Sequence, residues 1–225
     1  MITRIEALRF RCLRHVAENV GRCEVLVGPN GVGKSTLMKT LIGLLATTAG
    51  SIRMRGENLE ALTAHQRVRR GIGYVPQGRD VFPRMTVEEN LRVGDSLGRG
   101  TATDYTTVYD VFPILRERRR QRAGTLSGGQ QQQLAIGRVL VGRPDLLLLD
   151  EPSEGIQPSI VQSIARIAVD LNRRTGITIV LVEQNIDMIR SMAQRCYVMD
   201  KGRIVAELAP ATLEDRETVR RYLAV

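Results

Sequence analysis

Cys23-Glu-Val-Leu-Val-Gly-Pro-Asn-Gly-Val-Gly-Lys-Ser-Thr36 is a short apolar run that breaks into a glycine-rich turn carrying Lys34 and Ser35. From Ser35 to Leu45 the apolar residues then fall at helical spacing, so the order is strand, loop, helix. Gly28 to Ser35 matches G-x-x-x-x-G-K-[ST], and the strand before it and helix after it are the context that makes such a match a phosphate site. The glycines let backbone N–H groups close around phosphate oxygens at the positive end of a helix dipole. Lys34 is expected to reach the β- and γ-phosphates and Ser35 to give its hydroxyl to Mg²⁺.

Two further elements stand downstream in a fixed order. Leu146-Leu-Leu-Leu-Asp-Glu151 is a wholly apolar strand that ends in a carboxylate pair, which is unusual without a cation nearby. In a parallel sheet Asp150 emerges at the carboxyl edge, where ligands bind, and is expected to hold Mg²⁺ directly or through water. Glu151 follows it as the candidate general base. Between this strand and the first loop lies Leu126-Ser-Gly-Gly-Gln130, a sequence whose chance occurrence in a chain this long is on the order of 10⁻⁴.

The remaining chain supplies the frame. Gly50 to Gly56 and Gly71 to Gln77 read as strands bounded by glycines, both extending the sheet of the phosphate loop. Thr86 to Arg122 turns helical, with Val87, Leu91 and Val93 in one segment and Val108, Val111, Phe112 and Leu115 in another. Helices are expected over Gln131 to Val141 and Ser159 to Arg173, and strands over Leu146 to Asp150 and Thr178 to Glu183. Lys201-Gly202 is the turn of a hairpin, and Glu214 to Leu223 is a polar closing helix. This alternation is α/β with a parallel core sheet.

At 225 residues with 43% hydrophobic content the chain is long enough for one sizeable core. No apolar run approaches the ~20 residues needed to cross a bilayer, and the amino end lacks the apolar stretch of a signal peptide. The three cysteines have an odd count and no metal-ligand spacing, so neither a disulfide framework nor a zinc site is indicated. A formal charge of +9 is scattered apart from the cluster Arg116 to Arg122, and it reads as a solvated face rather than a nucleic-acid surface.

Taken with the phosphate loop and the carboxylate strand, Leu126 to Gln130 resembles the signature of the ATP-binding cassette family, the nucleotide-driven subunits of membrane transporters. The resemblance implies an α/β P-loop NTPase core, an antiparallel β subdomain and an inserted α-helical signature subdomain. The expected division is 1–85 with 143–225 for the core and 86–142 for the helices. It implies ATP and Mg²⁺ as ligands, with Asn30, Gly31, Gly33, Lys34, Ser35 and Thr36 on the nucleotide. In that family the signature of one subunit closes over the γ-phosphate held by a second, which assigns Ser127, Gly128, Gly129 and Gln130 to a partner's nucleotide. Gln77 matches the glutamine that contacts Mg²⁺ or the attacking water, and the segment after it, with Phe82, Pro83 and Met85, receives a transmembrane partner.

The departures narrow the resemblance. Most cassettes carry a His just after the strand that follows the carboxylate pair; here Glu183-Gln184-Asn185 puts Gln184 at that position. An amide can donate to a phosphate oxygen but cannot titrate as imidazole does. Gln157 stands where most cassettes carry Asp. With the Gln130 to Gln133 run and Leu-Val-Glu-Gln-Asn, it resembles the branched-chain amino acid importers, and within them the urea and short-amide subgroup. The amino end is atypical: Phe10 is the aromatic residue before Gly28, and adenine is held either by its ring or by Arg11, Arg14 or apolar edges, with a shortened hairpin around Val16 to Gly21.

The expectation is therefore an importer ATPase at the cytoplasmic face of a membrane. Its expected partners are integral permease subunits, a second like or unlike cassette and, indirectly, a periplasmic or extracellular solute-binding protein, with no nucleic acid. A soluble cassette acting on DNA or ribosomes, and a nucleotide-gated subunit with little turnover, are the competing readings.

Overall fold

A computed structural model describes residues 5–7, 23–95 and 105–215. In chain order the elements are β1 (Ile5–Ala7), β2 (Cys23–Val27), α1 (Lys34–Ile42), β3 (Ile52–Met54), β4 (Glu57–Asn58), α2 (Ala64–Arg69), β5 (Ile72–Val75), α3 (Val87–Asp95), α4 (Thr106–Val111) and α5 (Pro113–Glu117). Then come α6 (Gly128–Val141), β6 (Leu146–Asp150), α7 (Pro158–Thr175), β7 (Thr178–Val182), α8 (Ile186–Met192), β8 (Arg195–Asp200) and β9 (Arg203–Leu208). The order runs β5-β6-β7-β2-β8-β9 in a six-stranded sheet, parallel throughout except for β9, which closes against β8 as a hairpin.

The apolar runs are continuous because this sheet is covered on both faces. Alternate residues divide cleanly: Val25, Val27, Leu147, Leu149, Ile179 and Leu181 face α6, α7 and α8. Leu26, Leu146, Leu148, Val180 and Val182 face α1 and the small β1-β3-β4 sheet, whose Ile52 and Met54 join that second core. The Gly50–Gly56 strand thus does not extend the main sheet as its composition implied. It pairs antiparallel with β1 and β4 instead, and Ile52 and Met54 face the second core from that small sheet.

The helical segment leaves and rejoins the chain at one point. Thr86 bridges Arg122, and the amides of Val87 and Glu88 donate to the carbonyls of Gln121 and Arg119, both at 3.0 Å. Val87, Leu91, Val108, Phe112, Leu115 and Leu134 pack between α3, α4, α5 and α6. The helix expected from Gln131 begins three residues earlier. Ser127 and Gln130 form a capping box that starts α6 at Gly128, so Gly128 and Gly129 sit in its first turn.

The polar helix expected over Glu214 to Leu223 lies almost wholly outside the described residues, as do Phe10, Arg11, Arg14 and the hairpin around Val16 to Gly21.

Candidate functional site

Five parallel strands end on the same edge, and the loops that follow four of them converge there: Gly28 to Gly33 after β2, Gln77 after β5, Asp150 and Glu151 at the end of β6, and Gln184 after β7. The edge is shaped first by glycine. Gly28 has φ +147° and approaches β8 so closely that an added Cβ would lie 2.2 Å from the Met199 carbonyl oxygen. Gly31 and Gly33 take φ of +79° and +103°, a region other residues enter only with strain, and the loop wraps back onto the first turn of α1.

Lys34 is inside this loop. The residue is 4% exposed, and its ammonium donates to the carbonyls of Gly28 and Pro29, the latter at 3.1 Å. Burial lowers the pKa of this ammonium, and the charges of Glu151, Asp150 and Glu183 oppose the shift. Beside it, Ser35 Oγ donates to Asp150 Oδ1 at 3.0 Å and the Tyr74 hydroxyl donates to Oδ2 at 3.2 Å. Burial raises the Asp150 pKa, the two hydroxyl hydrogen bonds lower it, and the Glu151 charge adds to the rise. A buried carboxylate with a serine hydroxyl on one oxygen is an oxygen donor pair for a hard cation such as Mg²⁺. No cluster of three or more His, Cys, Asp or Glu able to hold a metal occurs among the described residues. Gln77, the other residue expected on Mg²⁺, turns its side-chain amide nitrogen to the carboxylates of Glu151 and Glu154.

Glu151 has φ +48°, a left-handed backbone for a non-glycine residue, held by its amide donating to the Val182 carbonyl at 2.9 Å. Its two carboxylate oxygens are each met by an amide: Gln77 Nε2 lies 3.3 Å from Oε2 and Gln184 Nε2 lies 2.9 Å from Oε1. The same Gln184 amide reaches Asn30 Oδ1 at 2.5 Å, so the loop after β7 is joined to the phosphate loop through a side-chain pair. Asn30, Lys34, Ser35, Gln77, Asp150, Glu151 and Gln184, chosen from the sequence, are brought to one place.

The signature is a different case. Ser127 Oγ accepts from the Gln130 amide at 3.4 Å and Gln130 Oε1 accepts from the Ser127 amide at 3.1 Å, so these polar groups satisfy each other. Gly129 packs on α7, where a Cβ would stand 2.7 Å from Ile160 Cγ2. Among the described residues no hydrogen bond joins Ser127 to Gln130 with the Gly28 to Thr36 loop of the same chain. Phe10 lies outside the described residues.

Three residues of the site had been passed over. Tyr74 orients Asp150, as above. Glu183, 2% exposed, accepts the backbone amides of Gln184 at 2.7 Å, Asn185 at 3.0 Å and Ser153 at 3.2 Å, tying the turn after β6 to the turn after β7. Glu154 accepts from Gln77 at 3.1 Å. The one available signal was an acidic residue closing an apolar strand in Thr178 to Glu183, the same pattern that singled out Asp150.

Comparison with known proteins agrees with this geometry. The family model described as ABC transporter matches residues 16–154. The high-affinity branched-chain amino acid transport ATP-binding protein BraG of Pseudomonas aeruginosa is 46% identical over 94% of this chain and 92% of its own length. The lipopolysaccharide export system ATP-binding protein LptB of Escherichia coli K12 is 34% identical over 91% of this chain and 87% of its own. Among solved structures, an ATP-binding cassette of an ABC transporter in its ADP conformation superposes with a TM-score of 0.79 at 25% identity, covering 97% of this chain and 95% of that one. On the strength of its loop, its carboxylate strand and these relatives, the chain belongs to the ABC transporter family, as one of its ATPases.

Proposed function

We propose that this ATPase drives a solute importer of the branched-chain amino acid group, acting at the cytoplasmic face of a membrane with permease subunits and a second cassette. The observation that carries the hydrolytic part is the placement of Glu151 between two amide donors and next to Asp150, Ser35 and Lys34. Lys34 would exchange the carbonyls of Gly28 and Pro29 for β- and γ-phosphate oxygens. Ser35 and Asp150 would hold Mg²⁺, which when bound neutralises charge developing on those oxygens. Glu151 accepts the proton of the attacking water, and Gln77 and Gln184 hold its carboxylate without adding charge.

Relationship to BraG supports branched-chain amino acids over urea or short amides as the cargo of the transporter, although Gln157 and Gln184 keep the amide subgroup as the second reading. The signature supports dimerisation in that Ser127 and Gln130 hydrogen-bond each other and not the phosphate loop of their own chain, so the α6 N-terminus is offered to a second cassette.

The test is twofold. Phosphate release should require Mg²⁺ and vanish in Glu151→Gln, and that variant should form an ATP-dependent dimer on size exclusion. In a strain lacking the gene, labelled leucine uptake should be lost and restored by the parent but not by Glu151→Gln. Loss of labelled urea uptake alone would select the amide reading, and intact uptake of both would reject the importer.

A further inference from the structure

Immediately after Gln77 the backbone enters the left-handed region three times in succession, with φ +88° at Gly78, +74° at Arg79 and +44° at Asp80. Two of these are not glycine, and such a turn persists only where its surroundings hold it. They do so from two sides. Arg79 Nη2 donates to the carbonyls of Glu154 and Gly155 at 3.0 and 3.1 Å, in the turn that follows the candidate base Glu151. Arg138, on α6, donates from Nη2 to the Asp80 carbonyl at 2.8 Å and stacks 5.1 Å above the ring of Phe82.

The Arg79 guanidinium also packs on the signature. A Cβ added at Gly128 would stand 2.8 Å from its Nη1 and 3.2 Å from its Nη2, and one at Gly155 would stand 3.1 Å from Nη2. Glycine at both positions lets a planar fork sit flat between the first turn of α6 and the turn after β6. Gln77 adds a second tie two residues earlier, from Nε2 to the Glu154 carboxylate at 3.1 Å.

We infer that Arg79 is a positioning residue that fixes the signature turn and the Glu151 turn of one chain in a single arrangement. It touches no reacting atom. This rests on the proposed function, in which the Glu151 turn serves the chain's own nucleotide and the signature serves that of the second cassette. Arg79, beside the packing of Gly129 on Ile160, then helps the two half-sites of one subunit keep a common geometry. The exposed Phe82 to Met85 segment continues the same strained loop, and Arg138 holds its first residue against α6.

The test uses the full chain and the variants Arg79→Ala and Arg79→Lys, each first shown to melt cooperatively. Hydrogen exchange should rise in Arg79→Ala at 126–131 and 152–156 and stay unchanged at 28–36. In steady state, kcat should fall by ~10-fold or more with KM for ATP within ~3-fold, since displacement of a catalytic turn by about 1 Å can cost ~100-fold. Arg79→Lys, which can reach one carbonyl at a time but cannot lie flat, should fall between parent and Arg79→Ala in both readouts. Unchanged exchange at 126–131 and 152–156 overturns the inference, as does a KM rise with kcat intact. A parent chain without Mg²⁺-dependent hydrolysis would instead remove the proposed function, and the exchange measurement would still decide the positioning role.

Discussion

Gln184 donates from Nε2 to Glu151 Oε1 at 2.9 Å while the same nitrogen lies 2.5 Å from Asn30 Oδ1. One neutral amide therefore holds the candidate base and the phosphate loop together, a task for which an imidazole would bring a titrating charge. Loss of the amide leaves Glu151 held by Gln77 alone and cuts the tie to Asn30, while Lys34 and the backbone of the phosphate loop stay in place. Gln184→Ala should lower kcat by ~10–100-fold and change ATP affinity by less than ~3-fold. Gln184→Glu should be worse, because it replaces the donor with a second carboxylate beside Glu151. Steady-state phosphate release and equilibrium nucleotide binding check both; equal turnover in Gln184→Ala and parent would remove the role.

Asp150 is a site residue held at a cost to stability. Burial raises its pKa above the usual carboxylate value in the folded chain, and the Glu151 charge adds to the rise. A carboxyl whose folded pKa is raised contributes stability that is present below the unfolded pKa and is lost as pH rises through the folded value. At neutral pH the ionised Asp150 is thus destabilising. Asp150→Asn should melt higher than the parent at pH 7. The gap should shrink as the pH falls toward the ordinary Asp value of 3.8. Hydrolysis should be lost at every pH. Thermal melts across pH 4 to 7 read the sign directly, and a lower melting point for Asp150→Asn at pH 7 contradicts it.

What was legible in the chain follows from how each feature is encoded. The core strands were readable because a sheet covered on both faces needs unbroken apolar runs, as in Leu146 to Leu149 and Thr178 to Val182. The residues of the nucleotide edge were readable because parallel strands deliver their carboxyl ends to one side, whichever neighbour each strand takes. Strand partnership was not: Ile52 and Met54 alternate like any half-buried strand, and only their pairing with Ile5 to Ala7 assigns them to the small sheet. The start of α6 was placed late because two glycines depress helix propensity, although Ser127 and Gln130 already spelled a capping box. Glu183 and Arg79 carry no side-chain motif: their partners are backbone atoms, in the adjacent turn and at Ser153 for Glu183 and at Glu154 and Gly155 for Arg79.

Glu183 yields a prediction of its own. Its buried carboxylate accepts three backbone amides, at Ser153, Gln184 and Asn185. Removing one partner of a buried hydrogen bond leaves the others unsatisfied, at about 1–3 kcal/mol per group. Glu183→Ala should therefore lower unfolding free energy by several-fold the ~1 kcal/mol typical of point variants and should reduce kcat through the loosened Gln184. Glu183→Gln keeps the shape and one acceptor oxygen, so it should retain more of both. Urea denaturation and phosphate release distinguish these, and a Glu183→Ala chain as stable and active as the parent would contradict the role.

Gly129 tests whether the signature turn is held on α7. Its Cα is so close to Ile160 that an added Cβ would meet Cγ2 at 2.7 Å, Cγ1 at 3.2 Å and Cβ at 3.3 Å. The Ile160 side chain is partly buried against the main core, and its branch at Cβ restricts χ1. Gly129→Ala should therefore destabilise by about 1–3 kcal/mol, as overpacked cores do. Truncating the obstacle should relieve it: in the double variant Gly129→Ala, Ile160→Ala, the two losses should sum to less than their separate values by ~0.5 kcal/mol or more, the mark of residues in direct contact. Denaturant titrations of the four chains give this coupling. Strict additivity would mean that α6 and α7 part easily at the signature, and that its geometry is set elsewhere.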